Sequence, residues 1–248
     1  MPRSYQHIRV EDRAGIAVVR IDRPPANAMD IGLLRESHAL LEELRTDAPA
    51  AVVLTGRDGF FSAGVDLKLA PTLAPREQRA MVDGINRMFF GWYGFPRPVV
   101  CAVNGHAIAG GLILALSGDR RVGAREGKLG LTELRAGIPY PAVAMAAVRA
   151  ELSPAAARLL VLEADLVDPE TALELGALDE LADDPLERGL EIAGDLARLP
   201  SGAYETVKRQ LRGPTLVEME RMLAAYPMAG GWLSAETGDA AASILRRD

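Results

Sequence analysis

Between Arg97 and Asp119 the chain runs for 21 residues, Pro98 to Gly118, without a charged side chain. No other stretch limits the fold as strongly. By count this run could cross a bilayer, but its content points elsewhere. Asn104-Gly105-His106 sits in the middle and Gly110-Gly111 follows, which divides the run into a buried strand, a turn and a buried helix. A strand this apolar must be covered on both faces, the mark of a parallel sheet in an α/β fold. With 248 residues, 49% of them hydrophobic, the chain can bury such a sheet in one large domain, or a domain and a small appendage.

The flanking sequence supports the same class. Residues 6–12 and 15–22 carry β-branched side chains around a short turn at Gly15 and end at Pro24-Pro25, a hairpin pattern. Apolar residues from Ile31 to Leu44 fall at helical spacing behind Asp30 as N-cap, and Ala51–Gly56 is a second buried strand. A small-residue loop covers Phe60–Leu67, a helix is expected from Pro75 to about Trp92, and strands at Val99–Val103, Arg120–Val122 and Lys128–Leu131. From Pro141 the chain becomes Ala- and Leu-rich with Ser-Pro, Asp-Pro and Pro-Ser punctuation, so the last third is expected to be mainly helical. Met219, Met222, Leu223 and Tyr226 form a stripe between Leu216 and Tyr226. That stripe fits packing on its own domain and a subunit interface equally. Ser234–Arg247 is too Ala-rich to choose between them.

Composition narrows the chemistry. A lone Cys101 and the absence of CxxC exclude an internal disulfide and a thiolate zinc site. His7, His38 and His106 have no metal-binding spacing, so no metal is expected. A net charge of −6 argues against a nucleic-acid surface. Met1–Tyr5 carries no apolar signal region, which leads to a cytoplasmic expectation with no membrane span. GxGxxG, GxxxxGK[ST] and GxSxG are all missing.

Two turns remain where small residues crowd the end of a strand: Ser62-Ala63-Gly64-Val65-Asp66 and Ala109-Gly110-Gly111. Missing side chains let another group approach the backbone amides there, and an amide at a helix start can hold a developing oxyanion. Taken alone, Gly-Gly before an apolar helix is more often a tight packing point. Glu133, taken alone, is a surface acid at the end of a short strand.

Four blocks, in order and spacing, resemble the crotonase, or enoyl-CoA hydratase/isomerase, superfamily. They are Arg23-Pro24-Pro25-Ala26-Asn27-Ala28-Met29, Phe61-Ser62-Ala63-Gly64-Val65-Asp66-Leu67, Asn104-Gly105-His106-Ala107-Ile108-Ala109-Gly110-Gly111 and Gly130-Leu131-Thr132-Glu133-Leu134-Arg135-Ala136-Gly137-Ile138-Pro139. The resemblance implies an α/β spiral of ββα units over residues 1–190 carrying an acyl-CoA site. It also implies a helical C-terminal region, 191–248, that builds a homotrimer or a dimer of trimers. The substrate would be an acyl-CoA thioester and no separate cofactor would be needed, CoA being part of the substrate. The resemblance places the oxyanion amides on Ala63 and Gly110, and Ser62, Gly64, Val65, Asp66, Leu67 and Lys68 along the substrate. Lys68 and Arg23 either reach the CoA phosphates or are solvated surface charges.

The departures decide the expected reaction. Hydratases of the family use two glutamates, since adding water needs one group to activate it and one to deliver a proton. Here the first position falls on Ile113 and the second on Glu133. One carboxylate suits an isomerase, which removes a proton from C2 of a 3-enoyl-CoA and returns it at C4. The blocks around Ile113 and Glu133 are most similar to the enoyl-CoA delta-isomerase branch, although Thr132 stands where that branch has asparagine. The apolar neighbours Leu131, Leu134 and Ile138 are expected to raise the pKa of Glu133. Tyr140 either lines the acyl pocket or is a buried structural tyrosine. Hydration, with a second acid recruited from Glu77 or Asp83, and acyl-CoA binding without turnover are the competing readings.

Overall fold

The computed structural model describes residues 5–57, 59–225, 232–233, 237 and 240. Tyr226 and most of Ser234–Arg247 lie outside these. The chain opens with the antiparallel hairpin β1 (Ile8–Arg13) and β2 (Ile16–Ile21). Ala14 and Gly15, both at positive φ (54° and 82°), form the tight turn that a twisted hairpin favours. α1 (Ile31–Asp47) starts where Asp30 accepts the Leu33 amide at 2.7 Å.

Three turns of one ββα pattern follow. In the first, β3 (Ala51–Thr55) and β4 (Phe60–Ser62) lead to α2 (Pro75–Tyr93). In the second, β5 (Val99–Val103) and β6 (His106–Ile108) lead to α3 (Gly110–Leu116). In the third, β7 (Arg120–Ala124), β8 (Leu129–Gly130) and a one-turn 3-10 helix at Glu133–Ala136 lead to α4 (Ala142–Glu151). Then come α5 (Pro154–Arg158) with a π-turn to Glu163, α6 (Pro169–Glu174), β9 (Glu180–Ala182), α7 (Pro185–Ala197) and α8 (Ser201–Ala225).

The first strand of each pair joins a six-stranded sheet ordered β1-β2-β3-β5-β7-β9, parallel from β2 onward. The second joins a small parallel sheet, β4-β6-β8. The chain is thus an α/β spiral of ββα units, as the resemblance implied. Alternate side chains of β3 show why the strands are apolar throughout. Val52 and Leu54 enter the main core, while Ala51 and Val53 face α7 on the opposite side. The uncharged run from Pro98 to Gly118 is β5, β6 and α3, and among the described residues no helix is long and apolar enough to cross a membrane.

Several expectations change. Phe60–Ser62 and His106–Ile108, read as loop and turn, are strands of the small sheet, each too short to show a period. The helical last third contains β9, one of the two edge strands of the large sheet. α7 runs unbroken across residue 190 and packs on β3 and β5, so its far end belongs to the core it covers. α8 runs as one helix through Pro214, with the Leu216–Tyr226 stripe in its second half as far as Ala225. A proline removes one helical hydrogen bond, but α8 is anchored on both sides of it. Arg212 donates to the carbonyls of Tyr93, Ser117 and Gly118 before the proline, and Met219 is fully buried after it. Leu216, Met222 and Leu223 pack on the same core.

Candidate active site

A cavity of about 540 Å³ lies where the carboxyl ends of β4, β6 and β8 meet the inner faces of α2 and α4. Each of these three parallel strands contributes the group two or three residues beyond its end. Val65 follows β4, Gly110 follows β6 and Glu133 follows β8, and all three line the cavity.

The turn after β4 is held by a buried asparagine. Asn27, at φ 53°, donates to the Phe60 carbonyl at 2.8 Å. The Ser62 hydroxyl donates to Asn27 O at 2.8 Å and accepts from Gly64 N–H at 3.1 Å. Ser62 is fully buried and, like Gly64, does not line the cavity. Ala63 does line it, but its N–H donates to the Ala26 carbonyl at 3.0 Å. The Asp66 N–H donates to Met29 O at 3.0 Å. The Val65 amide alone in this turn has no acceptor among the described residues. The amide expected of Ala63 is therefore engaged within the fold, and the free one lies two residues further on.

Gly110 opens α3, and its N–H also has no acceptor among the described residues. Its neighbour Ala109 adopts φ 52°, ψ −125°, outside the regions an alanine prefers. Gly64, at φ +76°, lies so close that a Cβ there would come within 2.8 Å of Gly110 N. Glycine at 64 thus lets the two turns meet and leaves the Val65 and Gly110 amides open to the same space.

Glu133 is buried, 7% exposed, on the one-turn helix after β8. The residue is no surface acid. Burial pushes its carboxyl up to about 7, against weaker opposing effects of a backbone amide and the Tyr140 hydroxyl. Its Oε2 is buried without a hydrogen-bond partner. Leu131 and Ile138 are buried around it as expected, whereas Leu134 is 56% exposed and contributes no desolvation. Ile113 and Thr132 line the same cavity, Ile113 with 1% of its surface exposed.

The second carboxylate on the lining, Asp66, is already committed. Arg23 bridges it to Asp30 with bonds of 2.9 Å to each and donates to Ala28 O. Asp66 also accepts from the amides of Lys68 and Leu69. This locks the loop and occupies Arg23, so the guanidinium is a clamp and no free phosphate ligand. Leu67 and the exposed Lys68 complete this wall. Glu77 caps α2 through the Ala74 amide and Asp83 pairs with Arg87 on the surface; neither lines the cavity. Tyr140 donates to the Leu131 carbonyl at 3.1 Å and lies outside the lining. His106 stacks on Phe60 with ring centroids 4.6 Å apart and is also outside it. Among the described residues no group of His, Cys, Asp and Glu could hold a metal ion.

The apolar side of the cavity is built by residues that the sequence does not single out. Ile85 and Phe89 share one face of α2, an i, i+4 pair that reads as ordinary core. Trp232 arrives from the end of the chain and donates to Pro139 O at 2.9 Å. Nothing local marks it as part of a site.

Two sheets wound as ββα turns, with free backbone amides and one buried carboxyl past the strand ends of the small sheet, define the crotonase class of fold. The chain belongs to the enoyl-CoA hydratase/isomerase family, which it matches over residues 11–227. It is 37% identical over 169 residues to the probable enoyl-CoA hydratase EchA17 of Mycobacterium tuberculosis, covering 68% of this chain and 65% of that protein. The chain thus spans just under two thirds of the length of that curated relative. The probable enoyl-CoA hydratase EchA3 of Mycobacterium tuberculosis superposes with a TM-score of 0.83 at 28% identity, covering 88% of this chain and 94% of that one. Human mitochondrial delta3-delta2-enoyl-CoA isomerase superposes with a TM-score of 0.85 at 26% identity, covering 98% of each chain. Both hydratases and isomerases are therefore among its relatives.

Proposed function

We propose that this chain is an enoyl-CoA isomerase that shifts a double bond from the 3- to the 2-position of an acyl-CoA thioester, a step of fatty-acid metabolism. The carrying observation is the pairing of one uncommitted carboxyl, Glu133, with a cavity wall that has Ile113 where the family's hydratases have their first acid. Glu133 removes a proton from C2, and the electrons move onto the thioester oxygen as a dienolate. The free N–H groups of Val65 and Gly110 hold that oxygen; removing one such donor in other enzymes costs about 3–4 kcal/mol. The same carboxyl then returns the proton at C4, so nothing is gained or lost overall. A base whose pKa lies near the working pH can both take and return a proton, and burial brings Glu133 to about 7.

The loop Ser62–Leu67 and Lys68 are proposed to run along CoA, with the apolar wall of Ile85, Phe89, Ile113 and Trp232 enclosing the acyl group. The chain is also proposed to form a homotrimer or a dimer of trimers. Exposed apolar side chains on α8, Val207 at 60% and Leu211 at 80%, support an interface there. Hydration is the second reading, because EchA17 of M. tuberculosis carries a hydratase name; it needs a second acid on the cavity.

The test offers the purified protein 3-enoyl-CoA and 2-enoyl-CoA of several chain lengths and follows both bond migration and water addition. Migration without hydration is expected, and Glu133→Gln should lose roughly 10²–10⁴-fold in rate. Fast hydration, or full turnover by the Gln variant, would overturn the reading. Saturable binding with no turnover of either substrate would favour an acyl-CoA carrier.

A further inference from the structure

Trp232 lies beyond the end of α8, yet its side chain lines the cavity. Three hydrogen bonds fix where this part of the chain sits. The indole N–H donates to Pro139 O at 2.9 Å, the Leu233 N–H to the Gln78 carboxamide at 3.3 Å, and the Thr237 hydroxyl to Gly137 O at 2.8 Å. Gln78 stands near the start of α2, and Gly137–Pro139 lead from the Glu133 turn towards α4. The segment thus reaches from α2 to the approach to α4, with the indole 5% exposed.

The rest of the apolar wall is core. Ile85, Phe89, Ile113 and Ala144 are each at most 2% exposed and sit on α2, α3 and α4, which pack into the main core. Shortening any of the large ones opens a void that a close-packed interior does not refill. Trp232 differs in kind. It belongs to none of the helices and strands that build the frame, and it is the bulkiest side chain on the cavity. Its size can therefore set the extent of the cavity while the sheets and helices stay as they are. An indole fills the apolar space that further carbon atoms of a ligand would otherwise take.

We propose that Trp232 is a specificity-determining residue that sets how long an acyl group the cavity accepts, its ring forming the end against which the chain stops. This rests on the reading that the apolar wall encloses the acyl group. Each methylene that leaves water for that wall strengthens binding about fourfold. Where the next one would meet the indole the gain ends, because a packed ring held by its own hydrogen bond does not make room without strain.

Saturated acyl-CoAs test this without turnover, since they have no double bond to move. Their affinities, measured by titration calorimetry from butanoyl- to hexadecanoyl-CoA, are expected to rise about fourfold per methylene and then level off. In Trp232→Ala the limit moves to chains longer by about two methylenes or more, so the longest ligands bind at least roughly tenfold tighter than they do to the unaltered protein. Trp232→Phe keeps an aromatic ring but loses the N–H, and its limit stays within about one methylene of the original. An unmoved limit in Trp232→Ala overturns the proposal. An equal move in both variants overturns it too, because the limit would then follow the Pro139 bond and not the bulk of the ring.

Should Trp232→Ala not fold, the unaltered protein decides. It has two tryptophans, and Trp92 is buried outside the cavity, where it donates to Ser37. Tryptophan emission must shift once the acyl chain is long enough to reach Trp232, and emission indifferent to chain length sinks the idea. The two levels separate. Failure of every acyl-CoA to bind removes the reading of the cavity itself, whereas binding that grows to the same limit without the indole removes only Trp232. Neither result depends on whether the enzyme moves a bond or adds water.

Discussion

Glu133 carries a cost that its neighbours do not relieve. Its carboxyl sits at about 7 in the folded chain against an ordinary value of 4.5, so the folded state binds a proton over a pH range where the unfolded state has released it. Stability therefore declines as pH rises from about 4.5 to about 7 and is level beyond. The difference corresponds to about 3 kcal/mol. Glu133→Gln does not titrate, so its stability relative to the unaltered chain should rise by about that amount between pH 4 and pH 8, read by urea unfolding at both. An unchanged difference would mean that the carboxyl is not held in an apolar setting. The residue scale also shows where a sequence stops being informative. Glu133 and Gly110 are legible, one as the acid left after Ile113 replaces its partner, the other as a glycine opening a helix. Val65 is not. The resemblance places the amide on Ala63 and the bare backbone there agrees with it, yet the availability of an amide depends on who accepts from it. The acceptor for Ala63 is Ala26 O, 37 positions earlier in the chain and adjacent only after folding.

At the scale of elements, α3 is held at its far end by side chains from α8. Arg212 donates to Ser117 O and Gly118 O just beyond α3, and its guanidinium carbon lies 4.1 Å from the centre of the Tyr93 ring. Asp119 and Glu151 balance its charge, and Lys208 binds Asp119 at 2.6 Å. All of these side chains are largely buried. Arg212→Met fills the volume but leaves two carboxylates undercompensated, so a loss of about 3–5 kcal/mol is expected in denaturant unfolding. A loss under 1 kcal/mol would show that water reaches the cluster. Helix starts were readable where an Asp or Ser cap precedes Pro or an apolar run, as at Asp30, Ser153, Asp168 and Asp184. The three-residue strands β4, β6 and β9 were not, since each is extended by its neighbours more than by its own composition. The length of α8 was hidden by Pro214, because the anchors that carry the helix past it lie on α3 and α2.

For the molecule as a whole, the resemblance in four blocks conveyed the spiral, whereas the residues alone supported only a parallel α/β sheet. The blocks lie at the strand ends, so they report the frame and the site together. They say little of the apolar wall of the cavity, which is assembled from one face of α2, the start of α4 and Trp232. Assembly belongs to this scale too. If the exposed apolar residues of α8 are covered by other copies, light scattering should give three or six times the 26.5 kDa of one chain. A mass of one chain at micromolar concentration would rule that arrangement out.

The edge of the small sheet has one more consequence. Its three parallel strands lie about 4.8 Å apart, and each delivers one working group just past its end: an amide, an amide, a carboxyl. The barrel of the instrument is the same for every note, and only the stops differ. On the proposed reading, side-chain changes at 113 and 133 alter the chemistry, while the backbone amides of Val65 and Gly110 go on presenting the same two N–H groups to the cavity. On that reading the spiral separates holding from doing, and a single isoleucine is enough to set one proposed reaction apart from the other.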